Sequence, residues 1–426
     1  MWKKILQIFS IKDLRKKIIF VFSLLVVFRI GAHIPVPGIN IENLKNFFQS
    51  NQILGLLNMF SGGGMENFSV VALGVGPYIT ASIIMQLLVM VVPQLEKLQK
   101  EEGEVGRRKI SMITRYATVP LACLQSYAMI NLLQRAGQNI LGELSIFQLV
   151  TTIITLTAGT IFLMWLGELI TEKGIGNGVS LIIFAGIVAG IPKAIQQSMV
   201  DFDASKLLNM GIFVAIAVVV VAGIVFITEG QRNIPINYAR RVKGNKMYGG
   251  TSTHLPLKVN QSGVIPIIFA MSIMIFPGML GSFFVNSGNS LIKSIAQNTV
   301  DLFQNQVFYG VLYFILVFFF TYFYTAVTFD PKNISENIQK QGGFIPGIRP
   351  GRLTAEYLQK TLSRITLAGA LFLGAVAVLP FVVQGVFNIP GMTIGGTGIL
   401  IVVSVVLETV KQIESQLVMR DYESFY

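Results

Sequence analysis

The chain has 426 residues, of which 53% are hydrophobic and 13% charged, and its formal net charge is +12. Its mean hydropathy of +0.65 excludes a soluble globular protein, because so apolar a chain has far more hydrophobic surface than one soluble core needs. The positive charge does not indicate a DNA-binding protein, since the basic residues separate long apolar runs and do not cluster on a polar domain.

Ten apolar segments follow one another along the chain, each near the length of about 20 residues that crosses a hydrocarbon core. They fall near 18–36, 69–92, 112–133, 149–171, 177–196, 207–228, 263–285, 308–329, 365–385 and 396–418. Pro192 is expected to break the fifth helix, and Glu408 with Lys411 weakens the tenth. The sequence therefore predicts an all-α polytopic membrane protein with ten transmembrane helices.

The Lys and Arg residues fall almost entirely on one face of the bilayer when the N-terminus is placed in the cytoplasm and the spans alternate. The exceptions are Arg29, Lys45, Arg135, Lys193, Lys206 and Lys293. Because cytoplasmic loops carry an excess of basic residues, both termini are predicted to be cytoplasmic. Arg29, near the outer end of the first span, is expected to snorkel to the lipid headgroups.

A short apolar segment near residues 53–63 lies between the first two spans and ends in a run of glycines. It is too short to cross a bilayer, so it is either a surface helix or a re-entrant half-helix. Irregular backbone at membrane depth is tolerated only inside protein or beside a wet cavity. The re-entrant interpretation therefore implies a cavity.

A six-residue motif recurs at the second span of each half of the chain. Gly74-Val75-Gly76-Pro77-Tyr78-Ile79 corresponds in register to Gly263-Val264-Ile265-Pro266-Ile267-Ile268. The motif predicts two related halves of five spans, residues 1–200 and 201–426. Since each half has an odd number of spans, the halves must be inverted across the membrane, with the working site at their interface.

Two long basic loops, near 229–262 and 330–364, are the candidate docking surfaces. In the first, Arg240, Arg241, Lys243 and Lys246 lie between Tyr238 and Tyr248, a pattern typical of contact with phosphate backbones and stacked bases. In the second, a turn rich in Gly and Pro is expected to hold Arg349 away from the membrane as an anchor for a partner.

No catalytic, cofactor or metal site is predicted. The chain lacks the ATP-binding motif G-x-x-x-x-G-K-[ST], and His33 and His254 have no ligand-type neighbours in sequence. Gly174-Ile175-Gly176-Asn177-Gly178 is predicted to be a tight turn and not a dinucleotide loop. The residues leave three functions open: a protein-conducting channel, a secondary transporter of a small solute, and a non-conducting membrane scaffold for the ribosome. The nearly charge-free middles of the spans disfavour the transporter.

Several motifs in order carry a resemblance to a known family. They are Asn58-Met59-Phe60-Ser61-Gly62-Gly63, Arg107-Arg108-Lys109-Ile110-Ser111, Gly174-Ile175-Gly176-Asn177-Gly178, Ser252-Thr253-His254-Leu255-Pro256-Leu257-Lys258-Val259-Asn260 and Gly347-Ile348-Arg349-Pro350-Gly351. With them the chain resembles the SecY family, the channel subunits of bacterial protein translocons, from the first span to the tenth. The resemblance implies a passive channel in the bacterial inner membrane that passes unfolded polypeptides and releases hydrophobic segments sideways into lipid.

The resemblance also implies roles for particular residues around an hourglass pore between the two halves. An apolar pore ring would comprise Val75, Ile79, Val179, Ile183, Ile268 and Ile401. A plug would include Leu57, Asn58, Met59, Phe60, Ser61, Gly62 and Gly63. A lateral gate between the second and third spans and the seventh and eighth would hold Thr80, Gln86 and Phe276.

The same resemblance implies the partners. The ATPase SecA and the ribosome would dock on Arg240, Arg241, Lys243, Lys246 and Arg349. SecE and SecG would complete the complex, polypeptides bearing signal sequences would be the substrates, and lipid would surround the gate.

Overall fold

The computed structural model describes residues 10–37, 39, 42–45, 58, 61–100, 102–135, 140, 145–200, 207–238, 241–243, 246–248, 252–284, 289–387 and 396–423. The helices are α1 (Lys12–Gly31), α2 (Gly76–Val91), α3 (Pro93–Lys100), α4 (Gly103–Arg135), α5 (Ile146–Lys173), α6 (Gly178–Val200), α7 (Leu207–Glu229), α8 (Ile265–Phe284), α9 (Ser290–Gln304), α10 (Gln306–Thr328), α11 (Pro331–Lys340), α12 (Arg352–Phe387) and α13 (Gly396–Glu423). The strands are β1 (Gln231–Tyr238), β2 (Arg241–Lys243), β3 (Lys246–Tyr248), β4 (Ser252–Lys258) and β5 (Gly343–Phe344).

Each predicted apolar segment overlaps one helix, and four expectations need correction. The third helix begins at Gly103, not near 112. The second helix begins at Gly76, not near 69, because residues 69–75 form turns. The ninth begins at Arg352, not near 365, so the second basic loop is shorter than predicted. Pro192 does not break α6 but lies inside it. Such prolines are tolerated in apolar helices when neighbouring groups satisfy the freed carbonyl.

Within the described residues, three helical stretches are long and apolar enough to cross a membrane: Ile146–Lys173, Gln306–Lys340 and Arg352–Val383. The helices Gly76–Val91 and Pro93–Gln99 meet at a bend of 104°. They add a fourth span if the two are counted as one broken helix. Shorter apolar helices cover Gly178–Pro192, Val214–Glu229 and Ile265–Met274. The polytopic helical class is confirmed, and the count of ten spans stays a prediction.

The largest apolar cluster lies where helices from both ends of the chain meet. It gathers buried side chains from α1, α2, α5, α6, α7, α8, α10, α12 and α13. Aromatic rings extend it along α8 and α10, where Phe269 meets Phe320 edge to face at 6.0 Å. We call this the central cluster.

The two long basic loops contain the strands, which the sequence did not predict. β1 pairs with β4 on one edge and with β5 on the other, so the first loop and the second share one antiparallel sheet. Asn237 pairs with Phe344 across this junction. A separate apolar cluster packs the sheet on α11 and α12 through Ile234, Ile236, Leu257, Phe329, Ile338, Ile345, Leu358 and Leu362. We call this unit the loop platform.

Candidate functional site

The six residues expected to form a pore ring all belong to the central cluster. Val75, Ile79, Ile183, Ile268 and Ile401 are buried, each at most 7% exposed, and Val179 is partly buried against them. All six lie in the first six positions of a helix or immediately before it, on α2, α6, α8 and α13. The chain thus places in one apolar cluster, from positions more than 300 residues apart in sequence, six side chains that carry no hydrogen-bonding groups.

The repeated motif folds the same way at both of its occurrences. Gly74 and Gly263 adopt positive φ angles of 58° and 63°, a conformation that favours glycine. The valine that follows accepts the first helical hydrogen bond: Ile79 N–H donates to Val75 at 3.0 Å, and Ile268 N–H to Val264 at 3.3 Å. In each case a proline occupies the first helical turn, where its missing N–H costs nothing. The sequence repeat is therefore also a repeat of local structure.

Of the predicted plug residues, Asn58, Ser61, Gly62 and Gly63 lie within the described residues, while Leu57, Met59 and Phe60 lie outside them. The side-chain amide of Asn58 makes two hydrogen bonds to Glu66. Its oxygen accepts from the Glu66 N–H at 2.9 Å, and its nitrogen donates to the Glu66 carboxylate at 3.2 Å. The Asn58 carbonyl accepts from the Ser61 hydroxyl at 3.0 Å. The turn at the end of the predicted plug is thus fixed by side chains within it and by Glu66 just after it.

Arg29 contacts this turn directly. Its Nη1 donates to the Gly62 carbonyl at 2.6 Å, and the side chain is half-buried. The expectation that Arg29 snorkels to the headgroups is therefore wrong, because its guanidinium is engaged by a backbone acceptor of the protein. Gly62 has a φ of 69°, and a Cβ there would approach the Phe28 ring to 2.5 Å, so only glycine allows this close approach.

The helices of the predicted lateral gate are in contact. α8 packs against both α2 and α4, and α10 packs against α8. The Thr80 hydroxyl donates to Gly76 within its own helix at 3.1 Å. Gln86 Oε1 is buried and has no hydrogen-bond partner among the described residues. Phe276 lies on α8, and its side chain is outside the described part of the chain.

The glycine-rich turn between α5 and α6 is the tight turn predicted. Gly178 N–H donates to the Thr171 hydroxyl at 2.9 Å, and Gly176 N–H donates to Gln412 Oε1 on α13 at 2.8 Å. Because side chains of the protein already occupy these donors, the turn does not present them to a phosphate group. The Gln412 contact across 236 residues of sequence could not be foreseen from the motif.

The predicted docking residues lie on or beside the loop platform, apart from Arg240, which is outside the described residues. Arg241, Lys243 and Lys246 lie on the β2–β3 hairpin, where Lys243 pairs with Lys246. Arg349 is exposed in the turn after β5. Its carbonyl accepts from the Thr354 hydroxyl at 2.9 Å, and Gly347 and Gly351 adopt φ angles of 81° and 95°.

Comparison with known proteins decides the family. The model of the SecY family matches residues 69–410 of this chain. The chain is 46% identical to the protein translocase subunit SecY of Streptomyces galbus over 431 aligned positions, which cover 98% of both proteins. The chain belongs to the SecY family. The predictions of this family and of a protein-conducting channel are confirmed, and nothing favours the small-solute transporter.

Solved structures of SecY-type channels share the fold of this SecY-family chain. One is a SecY protein whose plug domain is described as stabilising the closed state of the translocation channel and maintaining a membrane seal. It has a TM-score of 0.62 at 21% identity and covers 94% of this chain and 91% of its own. Another is Sec61 in the canine ribosome–channel complex, with a TM-score of 0.58 at 19% identity and the same coverage.

Proposed function

We propose that this SecY-family chain is a passive polypeptide pore whose constriction is the ring of Val75, Ile79, Val179, Ile183, Ile268 and Ile401. The observation that carries the proposal is that all six side chains, from four helices of both halves, belong to the central cluster. A narrow apolar constriction blocks ions by dewetting. It makes no specific hydrogen bonds, so it can yield around a polypeptide of any sequence.

The ring draws on both proposed halves of the chain, residues 1–200 and 201–426. The shared local fold of the two Gly-Val-x-Pro-x-Ile motifs supports their inverted relationship, and the ring then lies at their interface. Opening is a separation of the halves. The energy for moving a substrate comes from outside, from the ATPase SecA or the translating ribosome.

The direct test is reconstitution of the chain with SecE and SecG in lipid vesicles, followed by addition of SecA, ATP and a signal-bearing polypeptide. Protection of the polypeptide from external protease, dependent on ATP and on the signal sequence, is the expected result. Vesicles that contain the assembled complex yet protect no polypeptide would overturn the proposal. A polypeptide of equal length without a signal sequence is the matched control.

The segment near 53–63 is proposed to plug the pore on the outer side while the channel is idle. Arg29 holds Gly62 of this segment, and Asn58 of this segment bonds to Glu66 just after it. Both contacts fix residues of the plug itself, so they favour its seated position.

Replacing Arg29 with Gln is expected to unseat the plug part of the time. A hydrogen bond from a charged donor contributes about 1.5–3 kcal/mol, so its loss shifts the seating equilibrium by roughly 10- to 150-fold. The measurement is the ion conductance of the idle reconstituted complex, which should rise. Arg29→Lys, which keeps the charge but not the planar guanidinium, should give a smaller rise. An unchanged conductance in Arg29→Gln would show that the contact does not hold the plug.

The lateral gate is proposed to lie between α2 with α4 on one side and α8 with α10 on the other. The packing of α8 on α2 and α4 corresponds to a closed seam. We place Thr80, Gln86 and Phe276 at or near this seam. A hydrophobic segment leaves the pore for lipid when the seam parts.

Replacing Gln86 with Leu is expected to make the gate harder to open. Burying a carbonyl oxygen without a donor costs about 1–3 kcal/mol, and Gln86 Oε1 is in this condition. Leucine removes that cost from the closed state, so insertion of weakly hydrophobic signals should fall by roughly 5- to 150-fold. Gln86→Glu is the matched counterpart and should ease opening. If Gln86→Leu leaves signal discrimination unchanged, the seam does not depend on this residue.

The loop platform is proposed to receive the motors. Arg240, Arg241, Lys243 and Lys246 on the first loop and Arg349 on the second would contact SecA or ribosomal RNA. The sheet supports this because its pairing of Asn237 with Phe344 holds both loops in one unit. The canine relative of similar fold was solved bound to a ribosome.

We place the complex, with SecE and SecG, in the bacterial inner membrane, with both termini and the loop platform in the cytoplasm. The distribution of Lys and Arg along the sequence supports this orientation. We assign the chain neither a cofactor nor an enzymatic reaction, because in the proposed channel the energy comes from its partners.

A further inference from the structure

The helix α9 carries an apolar surface that no described part of the protein covers. α9 follows α8 at the end opposite the loop platform, because α8 begins shortly after β4 and runs away from it. The helix has 15 residues and a length of about 23 Å. It also contains Lys293 and Asp301, so it is too short and too polar to cross a bilayer.

One sector of α9 packs on its neighbours. Ala296 is 4% exposed, and Thr299, Val300 and Phe303 are partly buried. Val300 lies so close to α8 that a Cβ on Gly281 would approach it to 3.0 Å. The Phe303 ring meets Phe308 of α10 edge to face at 5.6 Å. α9 is therefore docked on α8 and α10 in a fixed rotation.

The remaining surface of α9 divides into two chemically distinct sectors. Large apolar side chains are exposed on one: Leu291 72%, Ile292 40%, Ile295 67% and Leu302 46%. The other consists of exposed polar residues, namely Lys293, Ser294, Gln297, Asn298 and Asp301. At about 100° per residue from Leu291, the apolar sector covers about 0–100°, the packed sector about 80–180° and the polar sector about 200–340°.

The exposed apolar sector continues a surface that faces lipid. A single residue, Asn305, separates α9 from α10. Its side chain caps α10 by accepting from the Val307 N–H at 3.0 Å. From there Val307, Val311, Ile315 and Phe319 repeat every fourth residue, each more than half exposed. The helix that carries this stripe is long and apolar enough to cross a membrane, so the stripe is suited to contact with acyl chains. α9 ends shortly before this stripe begins and touches α10 through Phe303 and Phe308.

We propose that α9 is a membrane-surface helix whose sector of Leu291, Ile292, Ile295 and Leu302 lies in the acyl-chain boundary of the leaflet opposite the loop platform. An amphipathic helix with one apolar and one polar face lies in the plane of the interface in this way. The packed sector fixes its rotation, so the polar residues face water. The inference does not depend on the gate, because lipid contact by α9 needs no movement of α8.

The chain offers a clean background for testing this placement. It contains a single cysteine, Cys123, whose Sγ lies 3.5 Å from the Thr157 hydroxyl. Cys123→Ser therefore keeps a polar contact and leaves no thiol. On this background Ile295→Cys and Gln297→Cys place one nitroxide label each on exposed positions two residues apart, on the apolar and polar sectors respectively.

The experiment compares collision of the two labels with oxygen, which concentrates in acyl chains, and with a water-soluble nickel chelate. The assembled complex is reconstituted in phosphatidylcholine–phosphatidylglycerol vesicles. We expect a ratio of oxygen to nickel collisions several-fold higher at Ile295→Cys than at Gln297→Cys, and the same high ratio at Leu291→Cys. Equal, water-like ratios at all positions would overturn the proposal. Shielding of the Ile295→Cys label from both reagents would overturn it too, because a protein would then cover the sector.

Discussion

Reversing the charge at Arg349 is expected to reduce SecA-driven translocation by at least about thirtyfold, while the chain still inserts and assembles. Losing one partner of a close charge pair at a protein interface costs about 2–5 kcal/mol, and each 1.4 kcal/mol is about tenfold in affinity. Arg349→Glu also places a repulsive charge opposite an acidic or phosphate partner. The measurement is the rate at which a signal-bearing polypeptide becomes protease-protected at limiting SecA.

The fold of the variant should be unaffected. The Arg349 side chain is exposed, and the turn is held by backbone contacts: Thr354 donates to the Arg349 carbonyl at 2.9 Å and Ser335 to the Gly351 carbonyl at 2.6 Å. Lys332→Glu is the matched control, because it makes the same charge change at an exposed position of α11. Normal transport in Arg349→Glu, or an equal defect in Lys332→Glu, would refute a specific docking role.

Replacing Ile183 with Asn is expected to open the idle channel to ions. Ile183 is fully buried in the central cluster, and removing a large buried apolar side chain costs about 2–5 kcal/mol. The amide adds a further cost of about 1–3 kcal/mol if it finds no partner. The open fraction should rise by at least about 100-fold, because a pore lined by water satisfies the amide and a closed apolar ring does not.

The readout is the conductance of the idle complex in a planar bilayer. Ile183→Val keeps the ring apolar and should leave the conductance nearly unchanged. Val188→Asn makes a comparable change at a partly exposed position of the same helix and should have little effect. A second ring variant, Ile268→Asn, should leak as Ile183→Asn does. A channel that stays sealed in both ring variants would contradict the proposed constriction.

Much of the candidate site could be predicted from local sequence. The ten apolar segments overlap ten helices because hydropathy over about 20 residues is a local property. The two Gly-Val-x-Pro-x-Ile motifs predicted related halves, and the structure adds that both motifs begin a helix in the same way, because positive φ favours glycine and proline fits the first turn. The six ring residues came from family resemblance, and no periodicity within their helices distinguishes them from other buried apolar positions.

The remaining features depend on contacts between distant segments. From the sequence, Arg29 was expected to snorkel to the lipid headgroups. In the structure it bonds to Gly62, which is 33 residues away in sequence. α9 was not predicted, and the rotation that leaves its apolar sector uncovered is set by Gly281 and Phe308 on other helices. No local pattern encodes such partners.

The sequence by itself determined that this chain is a membrane protein, which of its segments are apolar and which of its loops are basic, since these follow from composition along short windows. Only the tertiary structure decided that the two basic loops form one platform. Their junction pairs Asn237 with Phe344, and strand pairing depends on backbone groups that every residue carries. The side chains around a strand therefore do not specify a partner more than 100 residues away, and only the packing of α11 and α12 against the sheet brings the two loops together.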